Sequence, residues 1–107
     1  MTGNRLDALR AMVARNPGNA MARFGLANEL LKAQLWDEAG TELRAYLDAH
    51  SDEGNGWGRL ADVLTHQGKS AEAREALVRG IEAAGRHGHP GMAAEFQARI
   101  EELDDDI

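Results

Sequence analysis

Trp57-Gly58-Arg59-Leu60-Ala61-Asp62-Val63-Leu64, then Gly68-Lys69-Ser70, then Ala73-Arg74-Glu75-Ala76-Leu77, is the stretch that decides how this chain folds. Apolar and small residues stand three and four apart on both sides of the glycine. Trp57, Leu60, Ala61 and Leu64 precede it; Ala73, Leu77, Gly80 and Ile81 follow it. That spacing lines one side of an α-helix, so the stretch predicts two amphipathic helices, about 53–67 and 71–84. Gly68 suits the end of the first and Ser70 the cap of the second.

The same pattern occurs one period earlier. A shift of 34 residues superposes Leu26 on Leu60, Ala27 on Ala61, Leu30 on Leu64, Glu38 on Glu72, Ala39 on Ala73 and Leu43 on Leu77. The matches select apolar and small positions, as a repeated packing unit requires. The earlier copy predicts helices over about 20–33 and 37–49, with Asn19 as an N-cap. Where the two helices of each hairpin cross, Ala27 faces Ala39 and Ala61 faces Ala73. Small side chains there let the backbones approach while larger residues fill the flanks.

These residues resemble the tetratricopeptide-repeat family, whose pattern is Trp-x2-Leu-Gly-x2-Tyr, then Ala-x3-Phe, then Pro. One unit reads Trp57-x2-Leu60-Ala61-x2-Leu64 and Ala73-x3-Leu77; the other reads Arg23-x2-Leu26-Ala27-x2-Leu30 and Ala39-x3-Leu43. Arg23 stands where Trp is usual and Ser51 where the closing Pro is usual, while Pro17 closes the segment before the first unit. The resemblance implies an all-α protein: an antiparallel helix-hairpin stack, a right-handed α-solenoid of about six helices. In the family, Trp57 is a packing position, and an aromatic at the turn, here Trp36, packs against the next unit.

The ends read as halves of further repeats. Leu9 lies 34 residues before Leu43 and Val13 before Leu47, so 5–15 is the second helix of an incomplete repeat. After the linker from Gly85 to Gly91, residues Met92, Phe96, Ile100 and Leu103 form one helical stripe. Gln97 stands there in place of the small Ala61, as suits a capping helix with no partner hairpin. The expected organisation is one domain over 1–107: a half-repeat helix at 5–15, repeats at 20–53 and 54–87, a capping helix at 91–103 and a solvated acidic tail at 104–107.

Composition narrows the function. The 107 residues are 43% apolar and 28% charged, with a net charge of −6. An acidic chain repels phosphate, which argues against nucleic acid as a partner. The charge is uneven: Arg5, Arg10, Arg15, Arg23 and Lys32 against Asp7 and Glu29 give +3 over residues 1–34, leaving −9 for the rest. That asymmetry predicts a weak, salt-sensitive self-association through the end helices. No apolar run approaches a membrane span, and the chain reads as cytoplasmic. With no cysteine, thiol catalysis and zinc-thiolate sites are excluded. His87-x-His89, His50 and His66 lack partners at zinc-like spacing, and Ser51 and Ser70 read as helix caps rather than nucleophiles. The expectation is no enzyme, no metal and no cofactor.

The resemblance implies a concave groove lined by the first helix of each repeat. Its outward positions are Phe24, Asn28 and Lys32 from the first repeat and Arg59, Asp62 and His66 from the second. Phe24 offers apolar area, Asn28 can bond a peptide backbone, and Lys32 and Arg59 can meet an acidic group. The expected partner is a protein or peptide. One subclass of the family grips the acidic carboxyl tail of chaperones with a clamp of Asn and basic residues. Asn28 stands at one clamp position, but Phe24 replaces a Lys, Arg59 a second Asn, and Glu95 a basic residue.

Overall fold

A computed structural model describes residues 2–105, with side chains from Arg5 onward. Met1, Asp106 and Ile107, and with them the last two residues of the expected tail, lie outside the described residues. The described residues form six α-helices: α1 (Thr2–Arg15), α2 (Ala20–Lys32), α3 (Trp36–Ala49), α4 (Asn55–His66), α5 (Ser70–Arg86) and α6 (Pro90–Asp105). The chain divides into two compact units, residues 1–50 and 51–107.

In the first unit α2 packs against both α1 and α3. Leu6 and Val13 of α1, Leu26 and Leu30 of α2, and Leu43 and Tyr46 of α3 are buried. In the second unit α5 packs against both α4 and α6, with Leu60, Leu64, Leu77, Phe96 and Ile100 buried. Each such side chain contributes about 1.5–3 kcal/mol by leaving water. The four crossing alanines, Ala27, Ala39, Ala61 and Ala73, are all 0% exposed. A longer side chain at these buried positions is expected to overpack the hairpin.

The helix ends follow one device three times. After α2, α4 and α5 the chain takes one left-handed residue, at Gln34 (φ 60°), Gly68 (φ 75°) and Gly88 (φ 74°). The next residue then donates back into the helix: Leu35 N–H to Leu30 O at 3.0 Å, Lys69 to Leu64 at 2.8 Å, His89 to Ala84 at 2.8 Å. These bonds satisfy carbonyls that the helix leaves open. Glycine adopts this conformation freely, whereas Gln34 carries a Cβ that crowds the backbone.

The N-termini differ more from expectation. Asn19 caps α2 as predicted, accepting from Ala22 N–H at 3.1 Å. Ser70 does not cap α5: it is already the first helical residue, and Lys69 before it makes no side-chain cap bond. Ser51 is not the polar anchor before α4 either. That role falls to Asp52, 6% exposed, whose Oδ1 accepts from Gly54 N–H at 2.7 Å and Gly56 N–H at 2.8 Å. Asp52 is one residue later and reaches the open donors of α4 directly.

Two glycines inside helices are explained by one ring. A Cβ on Gly58 of α4 would lie 2.8 Å from Phe96 Cζ, and one on Gly80 of α5 would lie 2.8 Å from Phe96 Cδ2 and Cε2 and 3.1 Å from Trp57 Cβ. The Phe96 ring of α6 therefore sits in a slot that exists because both positions lack side chains. Trp57, expected in the core, is only half-buried, with the Arg79 guanidinium 5.7 Å from its ring centroid.

Two substitutions check this account. Gly80→Ala gains about 1 kcal/mol of helix propensity but overpacks rigid groups on two sides. A net loss of about 1–2 kcal/mol is expected in urea unfolding, shrinking when Phe96→Leu empties the slot. Gln34→Gly removes the left-handed strain and is expected to stabilise the chain by about 0.5–1 kcal/mol, net of the added freedom of the unfolded chain.

Candidate binding surface

Phe24, Asn28 and Lys32 follow one another at four-residue steps, which places them along one side of α2. Phe24 is half-buried: its ring lies 4.8 Å from that of Tyr46 at a tilt of 34°, and Tyr46 in turn lies 5.1 Å from the His50 ring. Part of the expected apolar anchor is thus spent on α3. Asn28 is half-buried, and Lys32 is exposed with Nζ 3.3 Å from Glu29 Oε1. An acidic group arriving at Lys32 would compete with that carboxylate.

Behind this face the first unit is tied by ion pairs. Arg10 of α1 donates through Nε to Glu38 Oε2 at 2.7 Å and through Nη2 to Glu38 Oε1 at 2.8 Å, a two-pronged bond to α3. Arg23, in the family's Trp position, donates to Glu42 Oε2 at 2.8 Å and to the Pro17 carbonyl at 2.9 Å. With 17% and 16% side-chain exposure, the Arg23–Glu42 pair between α2 and α3 is well shielded from solvent. Arg5 pairs with Glu29 at 3.2 Å. The basic groups counted over residues 1–34 are therefore largely paired with acidic groups of their own unit.

Arg59, Asp62 and His66 lie three and four apart on one side of α4, in the second unit. This side is not open throughout, because the Phe96 and Arg99 side chains of α6 reach it. Arg59 is half-buried and borders a small cleft with Met92, Glu95 and Phe96. Asp62 accepts from Arg99 Nη2 of α6 at 2.5 Å. His66 is exposed and borders a second cleft with Arg99, Glu102 and Leu103. The six expected contact residues thus form two sets, one on α2 in residues 1–50 and one on α4 in residues 51–107.

Sequence reasoning missed Arg99. It occupies position i+3 of the stripe Phe96, Ile100, Leu103, where an apolar residue would be regular. A guanidinium in an apolar stripe signals a carboxylate opposite, and Asp62 supplies it. The last helix runs past the expected boundary at 103 through Asp105, and Arg74 Nε donates to Asp104 Oδ1 at 3.1 Å, with both side chains still exposed. Among the described residues no group of three or more His, Cys, Asp or Glu could hold a metal ion, and no helix is long and apolar enough to cross a membrane.

A tetratricopeptide-repeat profile matches residues 3–53 and 25–89. The chain belongs to the tetratricopeptide-repeat family. Among its relatives is a TPR repeat-containing protein, PA0015, of Pseudomonas aeruginosa, 28% identical over 99 residues, spanning 92% of this chain and 94% of that protein. The solution structure of protein BPP2914 from Bordetella parapertussis aligns with a TM-score of 0.79 at 31% identity, over 94% of this chain and 88% of that one. The TPR2B domain of yeast Sti1, in its pHsp70 complex, aligns with a TM-score of 0.85 over 99% of this chain and 85% of that one; at 18% identity the likeness is one of fold. This tetratricopeptide-repeat chain keeps the family's small crossing residues and replaces its aromatic at position 23 with the Arg23–Glu42 pair.

Acid is expected to act first on the first unit. The hydrogen bond from Arg10 holds the Glu38 carboxyl below its ordinary value of 4.5, and that from Lys32, with Arg5 beside it, lowers Glu29. A carboxyl depressed by folding contributes stability above its unfolded pKa, and loses it as pH falls through the folded one. Unfolding midpoints measured from neutral pH downward should begin to fall near the unfolded carboxylate range, about 4.5. Glu38→Gln should lower the midpoint at neutral pH and flatten the acid limb.

Proposed function

We propose that this chain is a non-catalytic, cytoplasmic protein-interaction module that binds a partner protein or peptide through the exposed side of α2 in the first unit and, as a separate surface, the exposed side of α4 in the second. The observation that carries this reading is the row Phe24, Asn28, Lys32 on one helix of a family of interaction modules. It offers an aromatic surface, an amide that can bond an extended backbone, and a cation. Arg59 and His66 of α4 offer a separate set of polar contacts in the second unit, beside Asp62, which is engaged by Arg99. The likeness in fold to a domain solved in a pHsp70 complex supports peptide binding by this architecture. The Phe24, Arg59 and Glu95 replacements point to a ligand other than one needing the full basic clamp. The repeats at 20–53 and 54–87 are the units that carry the two sets of contacts. A helical scaffold holds these groups in place before binding, so little ordering cost is added.

Affinity capture from the source lysate would supply a partner, and its segment can then be titrated against variants. Lys32→Ala and Arg59→Ala should each weaken binding by about 1 kcal/mol or less at physiological salt, and more at low salt. Phe24→Ala should weaken it at all salt concentrations. Its contact with Tyr46 makes a parallel thermal melt necessary. Variants that stay folded and all bind like the parent would exclude these two faces.

A further inference from the structure

The second unit contains a cleft of about 240 Å³ between α4, α5 and α6. Leu103, half-buried, supplies its accessible apolar surface, with the fully buried Leu77 beneath, and Asp62, His66, Arg99 and Glu102 supply its polar rim. The charges on that rim do not cancel. Asp62 and Arg99 neutralise each other across 2.5 Å. Glu102 is exposed and has no ion-pair partner among the described residues. One carboxylate therefore stands uncompensated beside Leu103. The surrounding field has the same sign. Residues 1–50 balance six acidic against six basic groups, whereas residues 51–107 hold twelve acidic against six basic and so carry the whole net charge of −6.

We propose that this cleft receives a lysine or arginine side chain of the partner segment. The inference rests on the binding-module reading and adds a specificity to it. The two parts of such a side chain match the two parts of the cleft: a methylene stem lies on Leu103 while the cation reaches Glu102 at the rim. An acidic side chain meets repulsion from Glu102, and a purely apolar one leaves that carboxylate without a partner. The α2 row and this cleft therefore select different features. The first unit offers Lys32 to an acidic group, and the second selects a basic one.

The full chain, isotope-labelled for NMR, is titrated with Nα-acetyl-lysine methylamide and Nα-acetyl-arginine methylamide. The norleucine and glutamate analogues serve as comparisons. Saturable shifts centred on His66, Arg99 and Leu103 are expected with the two basic probes, reduced by added salt. Glu102→Gln should weaken them about threefold. Glu82→Gln, an exposed acid of α5 away from the cleft, should leave them unchanged. Equal shifts with norleucine or glutamate, shifts unaffected by Glu102→Gln, or no shifts at the cleft would overturn the proposal. Lys32→Ala should not alter this titration. If a captured partner still depends on Lys32 and Phe24 while the basic probes fail, only the cleft assignment falls. If the probes bind but those variants leave partner binding untouched, the α2 assignment falls instead.

Discussion

Everything in this chain depends on how closely two helix backbones can approach, and that is set by where side chains are missing. Ala27 and Ala39 in one hairpin, and Ala61 and Ala73 in the other, are completely buried. Dispersion and hydrophobic contact fall off steeply with distance, so a hairpin held apart at its crossing would leave Leu26, Leu43, Leu60 and Leu77 poorly packed. The second unit carries the constraint further. Gly58 and Gly80 remove even the methyl group, and Phe96 fills the space, fixing α6 against both α4 and α5. The helix propensity lost at two glycines, about 1 kcal/mol each, is offset by burying an aromatic ring.

The two units solve one packing problem with different chemistry. Trp57 of the second unit lies half-buried under the Arg79 cation. At the equivalent place in the first unit Arg23 reaches across to Glu42 and back to the Pro17 carbonyl. The aromatic solution depends on area and tolerates acid. The ionic one depends on a carboxylate staying charged, as does the Arg10–Glu38 bond from α1 to α3. The first unit is consequently more polar in its ties and more sensitive to pH. Its six basic groups are balanced by six acidic ones, so it is neutral overall despite its basic beginning, and most of its cations are engaged by internal partners.

Function follows from what the packing leaves over. Along the side of α2 bearing Phe24, Asn28 and Lys32, Lys32 stays exposed while Phe24 and Asn28 are half-buried. The side of α4 is partly taken by α6, which converts an open row of residues into clefts. One of these is bordered by Leu103 and by Glu102, which has no ion-pair partner among the described residues. A capping helix that protects the core thereby also shapes a surface of defined charge.

The helical periods, the 34-residue register, the crossing alanines and the six helices were all legible in the sequence. They are local or periodic properties, fixed by residue spacing and by the need to hide apolar stripes. The cap at Asn19 was legible for the same reason. The roles of Gly58, Asp52 and Arg99 were not, because each depends on an atom far along the chain or on a turn geometry that several nearby residues could supply. Gly58 is defined by Phe96 and Arg99 by Asp62, while Asp52 displaced Ser51 because its carboxylate reaches two open N–H groups. The six expected contact residues were read as one outward set. Only the tertiary structure assigned Phe24 to Tyr46 and Asp62 to Arg99, because side-chain partners are chosen by what stands opposite in space, and periodicity carries no record of that.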